Sequence, residues 1–301
     1  MVKLGIAITT FNRTDTVFEQ IQLINKFSLS DYVLVVCDDG STDNTLEQLK
    51  KHNIPHISGA NKGIAWNKNR GLYYLANYTQ SEAFLLLDDD IYPTMYGWDV
   101  EWGKGAQLHG YISYAPKQWD EQKIFGNNTA TDPAILPICA RSSIAISREV
   151  FPLVGYMDNR FDRYGHEHTD YSSRFVKAGY GGILKKDQTL LFATMNSGLS
   201  LTAVPSCGSV EEANRNEPIL HELANDPLFR LPWFTEEQKI EFLDELKNKS
   251  HVTKIPQWKI LEDFDKSFYL TTYPDVKAAG VDPVTHYYLY GQYEKRKCVP
   301  D

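Results

Sequence analysis

An α/β fold built on a mostly parallel, Rossmann-like mixed sheet with helices on both faces is predicted by three observations. Short apolar runs alternate with helix-period segments from Lys3 to Asp90. The runs are apolar throughout, as strands covered on both faces are. Each of three runs ends in a polar loop, so the loops share one rim of the sheet if the strands are parallel.

The elements follow in order. "KLGIAITT" reads as a buried strand, and "TDTVFEQIQLINKF" as a helix with Thr14 as its cap candidate and Val17, Ile21 and Ile24 on one face. "YVLVVCDD" is a second strand. "STDNTLEQLKKHN" offers polar capping residues, Leu46 and Leu49 on one face, and a stop at Asn53. "HIS" is a short strand, "NRGLYYLANY" a third helix and "AFLLL" another strand. Beyond them "SSIAISREVF" reads as strand then short helix, and "GHEHTDYSSRFVKAGYG" as a helix closed by Gly179, where glycine takes the left-handed conformation cheaply. "GGILKK" and "LLFAT" are short strands. "PWFTEEQKIEFLDELKNK" is a surface helix with Phe242 and Leu246 facing inward. At the end, Pro274 and Pro283 sit where helices begin, and Gly280 and Gly291 where they stop. The predicted organisation is a main domain over residues 1–205, a charged helical extension over 206–254 and a small helical appendage over 255–301. The last boundary falls near Lys254, and the appendage is expected to pack on the main domain.

Composition narrows the function classes. A formal net charge of -8, from 31 basic and 39 acidic residues, gives no whole-surface field for nucleic acid or anionic membrane. "MVKLGIAITTFN" turns polar too soon for a signal peptide or a span, so no stable membrane insertion is expected. Cys37, Cys139, Cys207 and Cys298 lack metal or CxxC spacing and read as reduced thiols of a cytoplasmic protein.

Ligands of such sheets bind beyond the carboxyl ends of the strands, where "ITTFNR", "CDDGSTDNT" and "LDDDIYP" lie. Asp88, Asp89 and Asp90 repel one another, and Asp88 and Asp90 share a side if the chain stays extended. A hard divalent cation, magnesium or manganese, relieves that repulsion and is commonly shared with substrate phosphates. A solvated, helix-capping turn is the plainer alternative.

"VVCDDGSTDNT", "NKGIAWNKNRG", "LLLDDDI" and "GYMDNRFDRYGHEHTDYSSR" occur in an order and spacing that resemble family 2-like glycosyltransferases of GT-A fold, from Lys3 to Val204. The resemblance implies transfer of a sugar from a nucleoside diphosphate donor, UDP-linked, with a divalent metal ion (Mn2+ or Mg2+). Thr9, Thr10, Asn12 and Arg13 look like the loop that cradles base and ribose, and Asp38 or Asp39 like the carboxylate that bonds the base imide. Lys68, with Arg70 nearby, takes the slot of the basic residue at the nucleotide. Asp88 and Asp90 look like the ends of the Asp-x-Asp signature, Asp88 near ribose and metal, Asp90 on the metal, and Asp89 between them at the donor. A cation beside the leaving diphosphate stabilises charge that grows in the transition state.

Two departures stand out. Inverting relatives show Glu-Asp followed by arginine, the aspartate being the base; here Glu167 and Arg174 keep their places and His168 replaces the aspartate. His168 is then the base, its ordinary pKa of about 6.5 suiting neutral pH; or Glu167 or Asp170 takes over; or the enzyme retains configuration. Asp170 also stands four residues before Arg174, where it pairs along a helix. The histidine metal ligand that relatives supply after this helix is missing between His168 and His221, leaving Asn196, His221 or water.

For the acceptor, Trp98, Trp102 and Trp119, with Tyr111 and Tyr114, are candidates to stack on sugar rings or bases. A saccharide is the first expectation and a hydroxymethylated DNA base, flipped from its duplex, the second. A non-catalytic sugar-nucleotide or glycan-binding module is the alternative outside enzymes. A nucleotidyltransferase is disfavoured because "TTFNRTD" carries no glycine. The stretch from Phe268 to Arg296 resembles a short module attached to bacterial glycan-synthesis proteins; its tyrosines and His286 read as packing residues.

Overall fold

β1 (Leu4–Thr10) has every residue buried and lies inside a nine-stranded sheet, because an unbroken apolar run is stable only with both faces covered. The structure, a computed structural model, describes residues 2–139, 143–202, 208–247, 264–279, 283–287, 291 and 294–300. After β1 come α1 (Thr14–Phe27), β2 (Tyr32–Asp38), α2 (Thr45–Lys51), β3 (His56–Ser58), α3 (Ile64–Tyr78) and β4 (Ala83–Asp88). β5 (Ile91–Pro93), α4 (Trp98–His109), β6 (Tyr111–Tyr114), β7 (Ala134–Leu136), β8 (Ser143–Ser147), α5 (Phe151–Val154) and α6 (Glu167–Lys177) follow. β9 (Gly182–Leu184), β10 (Leu190–Met195), β11 (Leu199–Leu201), α7 (Val210–Glu222), α8 (Glu236–Lys247), α9 (Lys266–Thr272), α10 (Pro274–Ala278) and α11 (Pro283–His286) complete the order.

The strands run β3-β2-β1-β4-β8-β6-β10-β7, with β9 also on β10. β3, β2, β1 and β4 are mutually parallel, β8 is antiparallel to both its neighbours, and β6 and β10 return to the first direction. The sheet is therefore mixed and mostly parallel, as the sequence predicts. Register does the positioning: Thr9 lies opposite both Cys37 and Asp88, and Thr10 opposite Asp38, so three strand ends finish level.

Alternation along the strands makes two cores. Ile6, Ile8, Leu85 and Leu87 face α1 and α4 with Val17, Ile21, Trp98 and Trp102. Ala7, Val35 and Leu86 face α3, α6 and α8 with Leu72, Phe175, Phe242 and Leu246. Phe242 and Leu246 are buried as the periodicity predicts.

Some local expectations are corrected. Thr14 is the first residue of α1, not its cap; Arg13 holds the cap position and the Thr14 hydroxyl reaches Asn44 and Thr45. α3 begins at Ile64 rather than Asn69, because Gly63 at φ 90° turns the chain directly into it. The stretch that carries Trp98 and Trp102, candidates for the acceptor, is helix α4. Its glycines, poor helix formers, give close approach: Gly103 lets Leu4 in, and Gly105 lets in Met195.

In the appendage, Pro274 and Pro283 open α10 and α11 as predicted. Tyr269 is buried there, its ring 5.2 Å from Phe264 and 5.7 Å from Tyr287, and Arg296 pairs with Asp275. The Lys254 boundary, the stop at Gly280 and Cys207 lie outside the described residues.

Candidate active site

The level strand ends meet in one cleft that Thr9, Thr10, Arg13, Asp39 and Asp88 to Asp90 line. Asp88 closes β4, and Asp89 and Asp90 form the turn into β5. Each carboxylate is held. Thr9 Oγ1 donates to Asp88 Oδ1 at 3.1 Å, and the Lys68 ammonium, fully buried, pairs with the same oxygen. Thr10 Oγ1 donates to Asp89 Oδ2 at 2.7 Å, while Arg13 Nη1 lies 2.7 Å from Asp89 and 3.5 Å from Asp90. Burial, then Asp88 and Asp89, push the Asp90 carboxyl up to about 6. Two cations thus face three carboxylates, and negative charge is left over.

The donor set suits a metal ion. Asp88 and Asp90 offer hard oxygens at the crowded turn, which matches an ion that keeps waters and shares substrate phosphates. Among the described residues no group of three or more His, Cys, Asp or Glu is arranged to hold a metal ion, so these two carboxylates would need water or substrate oxygens to complete a site. His221 is exposed in the last turn of α7 and does not line the cleft.

Asp38 and Asp39 divide. Asp38 is fully buried and accepts from the Ser41 N–H and the Ser58 hydroxyl, which shapes the loop. Asp39 lines the cleft: the N–H groups of Lys62 and Gly63 reach it at 3.1 and 2.9 Å, and Arg70 Nη1 at 2.9 Å. Arg70 and Lys68 are both fully buried, Arg70 behind Asp39 and Lys68 behind Asp88, and neither lines the cleft, which corrects the expectation that they touch donor. Asn12, at φ 53°, accepts from the Thr42 and Asp43 N–H groups and ties two rim loops together.

The predicted catalytic residues also separate. Gly165 and His166 turn left-handed, at φ 108° and 70°, and start α6 with Glu167 in its first turn. Glu167 is buried, one carboxyl oxygen without a hydrogen-bond partner among the described residues. Burial pushes its carboxyl up to about 7; the N–H groups of Glu167 and Gly165 and the Lys68 charge pull down, and Asp88 pushes up. Glu167 does not line the cleft. His168 is buried in the same helical turn, its carbonyl oxygen 3.6 Å from the Cys139 thiol. Asp170 accepts from Arg174 Nε at 2.8 Å, and Arg174 also donates to the Val154 and Tyr156 carbonyls. A carboxylate so engaged is a brace for α6, which corrects the catalytic expectation for Asp170.

Trp98 and Trp102 are corrected as acceptor contacts. Both are fully buried in the α4 core, with indole N–H groups on the Ser28 hydroxyl at 3.2 Å and the Ser197 carbonyl at 2.9 Å. Tyr111 and Tyr114 are buried too. Trp119, half-buried in the 3-10 turn Lys117–Gln122, keeps a face near the surface.

Sequence reasoning missed Gln20, whose amide donates to the Asp88 and Ile91 carbonyls at 2.7 and 2.6 Å and so fixes the aspartate turn. A lone polar residue on the apolar face of α1 was its signal. Arg163 was also missed: it is exposed, lines the cleft, and donates to Asn61 Oδ1 at 3.3 Å.

This rim of hydroxyls, cations and clustered aspartates lies beyond the strand ends of a mostly parallel sheet, where such sheets bind ligands. Residues 5–98 match the family model described as Glycosyl transferase family 2. Among curated proteins, the "Uncharacterized glycosyltransferase YibD" of Escherichia coli (strain K12) is 31% identical over 99 residues, 31% of this chain and 28% of that protein. Among solved structures, "Crystal structure of GalNAc-T7 with UDP, GalNAc and Mn2+" overlays with a TM-score of 0.49 at 12% identity, covering 94% of this chain and 59% of that one. The chain therefore spans less than two thirds of the length of either. No described helix is long and apolar enough to cross a membrane.

Proposed function

We propose that this protein transfers a sugar from a UDP-linked donor to a hydroxyl of a saccharide, with Glu167 as the general base. The observation that carries this is the cleft that Asp39 and the Asp88–Asp90 turn line, with Arg13 and the buried Lys68 on its aspartates; Glu167, buried and outside the cleft lining, has its carboxyl pushed up to about 7 and feels the charges of Lys68 and Asp88. Asp39 receives the nucleotide base and Thr9, Thr10 and Arg13 border the ribose and phosphates. Asp88 and Asp90 would hold a magnesium or manganese ion, which when bound neutralises charge on the leaving diphosphate. Lys68 holds Asp88 in place and adds positive charge to the same end of the cleft. Glu167 takes the acceptor proton as the anomeric centre becomes oxocarbenium-like, a role its raised pKa suits. A base in this role implies inversion.

The test is release of nucleoside diphosphate from a panel of sugar nucleotides, with saccharides and hydroxymethylated DNA as acceptors. One UDP-sugar is expected to turn over, faster with a saccharide, and to stop in EDTA or on Asp90→Ala, with circular dichroism unchanged. No turnover of any donor, or full turnover in EDTA, overturns the reading; stimulation by DNA alone replaces the acceptor.

A further inference from the structure

Glu245 belongs to α8, far along the chain from the residues that match the family model, yet both its carboxylate oxygens are committed to α3. Oε1 accepts from Arg70 Nη2 at 2.9 Å; Oε2 accepts from Arg70 Nε and from Trp66 Nε1, each at 2.9 Å. This fork-on-fork pairing fixes the plane of the guanidinium. The remaining nitrogen, Nη1, then points the other way, to Asp39 Oδ1 at 2.9 Å and Asn67 Oδ1 at 2.9 Å. Asp39 is one of the carboxylates that line the cleft. A Cβ on Gly59 would sit 1.9 Å from Glu245 Oε1, so the β3 end leaves room for this carboxylate and nothing larger than glycine beside it. Phe242, one turn earlier on α8, meets the Trp66 ring at 5.3 Å and holds the helix there.

We propose that Glu245 is a positioning residue for nucleotide recognition: it orients Arg70, Arg70 orients Asp39, and the donor site is incomplete without α8. The proposal rests on the reading of Asp39 as the carboxylate that bonds the nucleotide base. One buried guanidinium shared by two carboxylates leaves Asp39 enough negative charge, and the right plane, to accept from a base N–H. Without Glu245 the whole positive charge falls to Asp39, which is drawn toward Arg70 and away from the base.

The test is calorimetric titration of UDP, CDP and GDP into the full chain, its Glu245→Gln and Arg70→Lys variants, and Glu237→Gln, an exposed control on α8. Either site variant is expected to weaken the preferred nucleotide roughly tenfold, the lower end for loss of an orienting outer partner. Its preference over the other two should shrink, with kcat at saturating donor within about twofold of the parent. The second variant keeps a buried charge and so covers a failure of the first to fold. Unchanged affinity and preference in folded variants, or equal loss for all three nucleotides, overturns the proposal and leaves Glu245 as helix packing. A parent chain that binds none of the three sinks the underlying reading instead.

Discussion

Glu167 is a carboxyl that folding brings to the edge of protonation. Its pKa of about 7 against an ordinary 4.5 arises first from burial and carries two consequences of opposite sign. As a base it is inactive when protonated, so transfer should rise with pH through about 7 and then level off. For stability, a raised carboxyl pKa means the folded state binds the proton more tightly. That contribution is full below pH 4.5 and is lost as pH rises through 7. Glu167→Gln should therefore cost roughly 100-fold or more in transfer, flatten the pH profile, and raise the melting temperature more at pH 8 than at pH 5. His168→Ala should keep the pH rise. If it instead removes the rise while Glu167→Gln keeps it, the histidine is the base.

At the scale of elements, helix α4 shows how contacts override propensity. Four glycines from Gly97 to Gly110 argue against a helix locally, but Gly97 and Gly110 sit at its two ends with positive φ. Gly103 and Gly105 admit Leu4 and Met195 where a larger residue would hold the helix off the sheet. Asp99 is buried within it and accepts from the Leu29 and Ser30 N–H groups. Trp102→Ala should accordingly cost about 3–5 kcal/mol of stability, the scale of an emptied aromatic core site, read by urea unfolding. An unchanged unfolding midpoint with a raised acceptor KM would return Trp102 to the acceptor site. Strand ends were more legible than this helix, because a polar residue directly after an apolar run marks a rim without knowledge of any partner.

The whole molecule joins a polar rim made early in the chain to helices supplied late. α8 closes the core over α3 with Phe242 and Leu246, whereas α9, α10 and α11 build a small aromatic cluster of their own around Tyr269. A chain ending after Lys247 should bind nucleoside diphosphate as the full chain does, though with lower solubility. One ending before α7 should lose that binding. Equal binding by both shorter chains would make the helical extension dispensable for the donor site, and loss in the first would tie the appendage to it.

The sequence by itself determined the strands β1, β2 and β4, the helix between the first two, and the polar rim with its aspartates. Each is written in neighbouring residues as apolar run, helical period or polar stop. Only the tertiary structure decided that Asp170 is committed to Arg174, that Asp39 and not Asp38 lines the cleft, and that Trp98 and Trp102 are core. It also set the short strands β6 and β7 on either side of β10, where their few residues carry little signal alone. Burial and electrostatic potential are sums over residues far apart in the chain, and the Glu245 to Arg70 contact, 175 positions long, exists only once the sheet has brought α3 and α8 together.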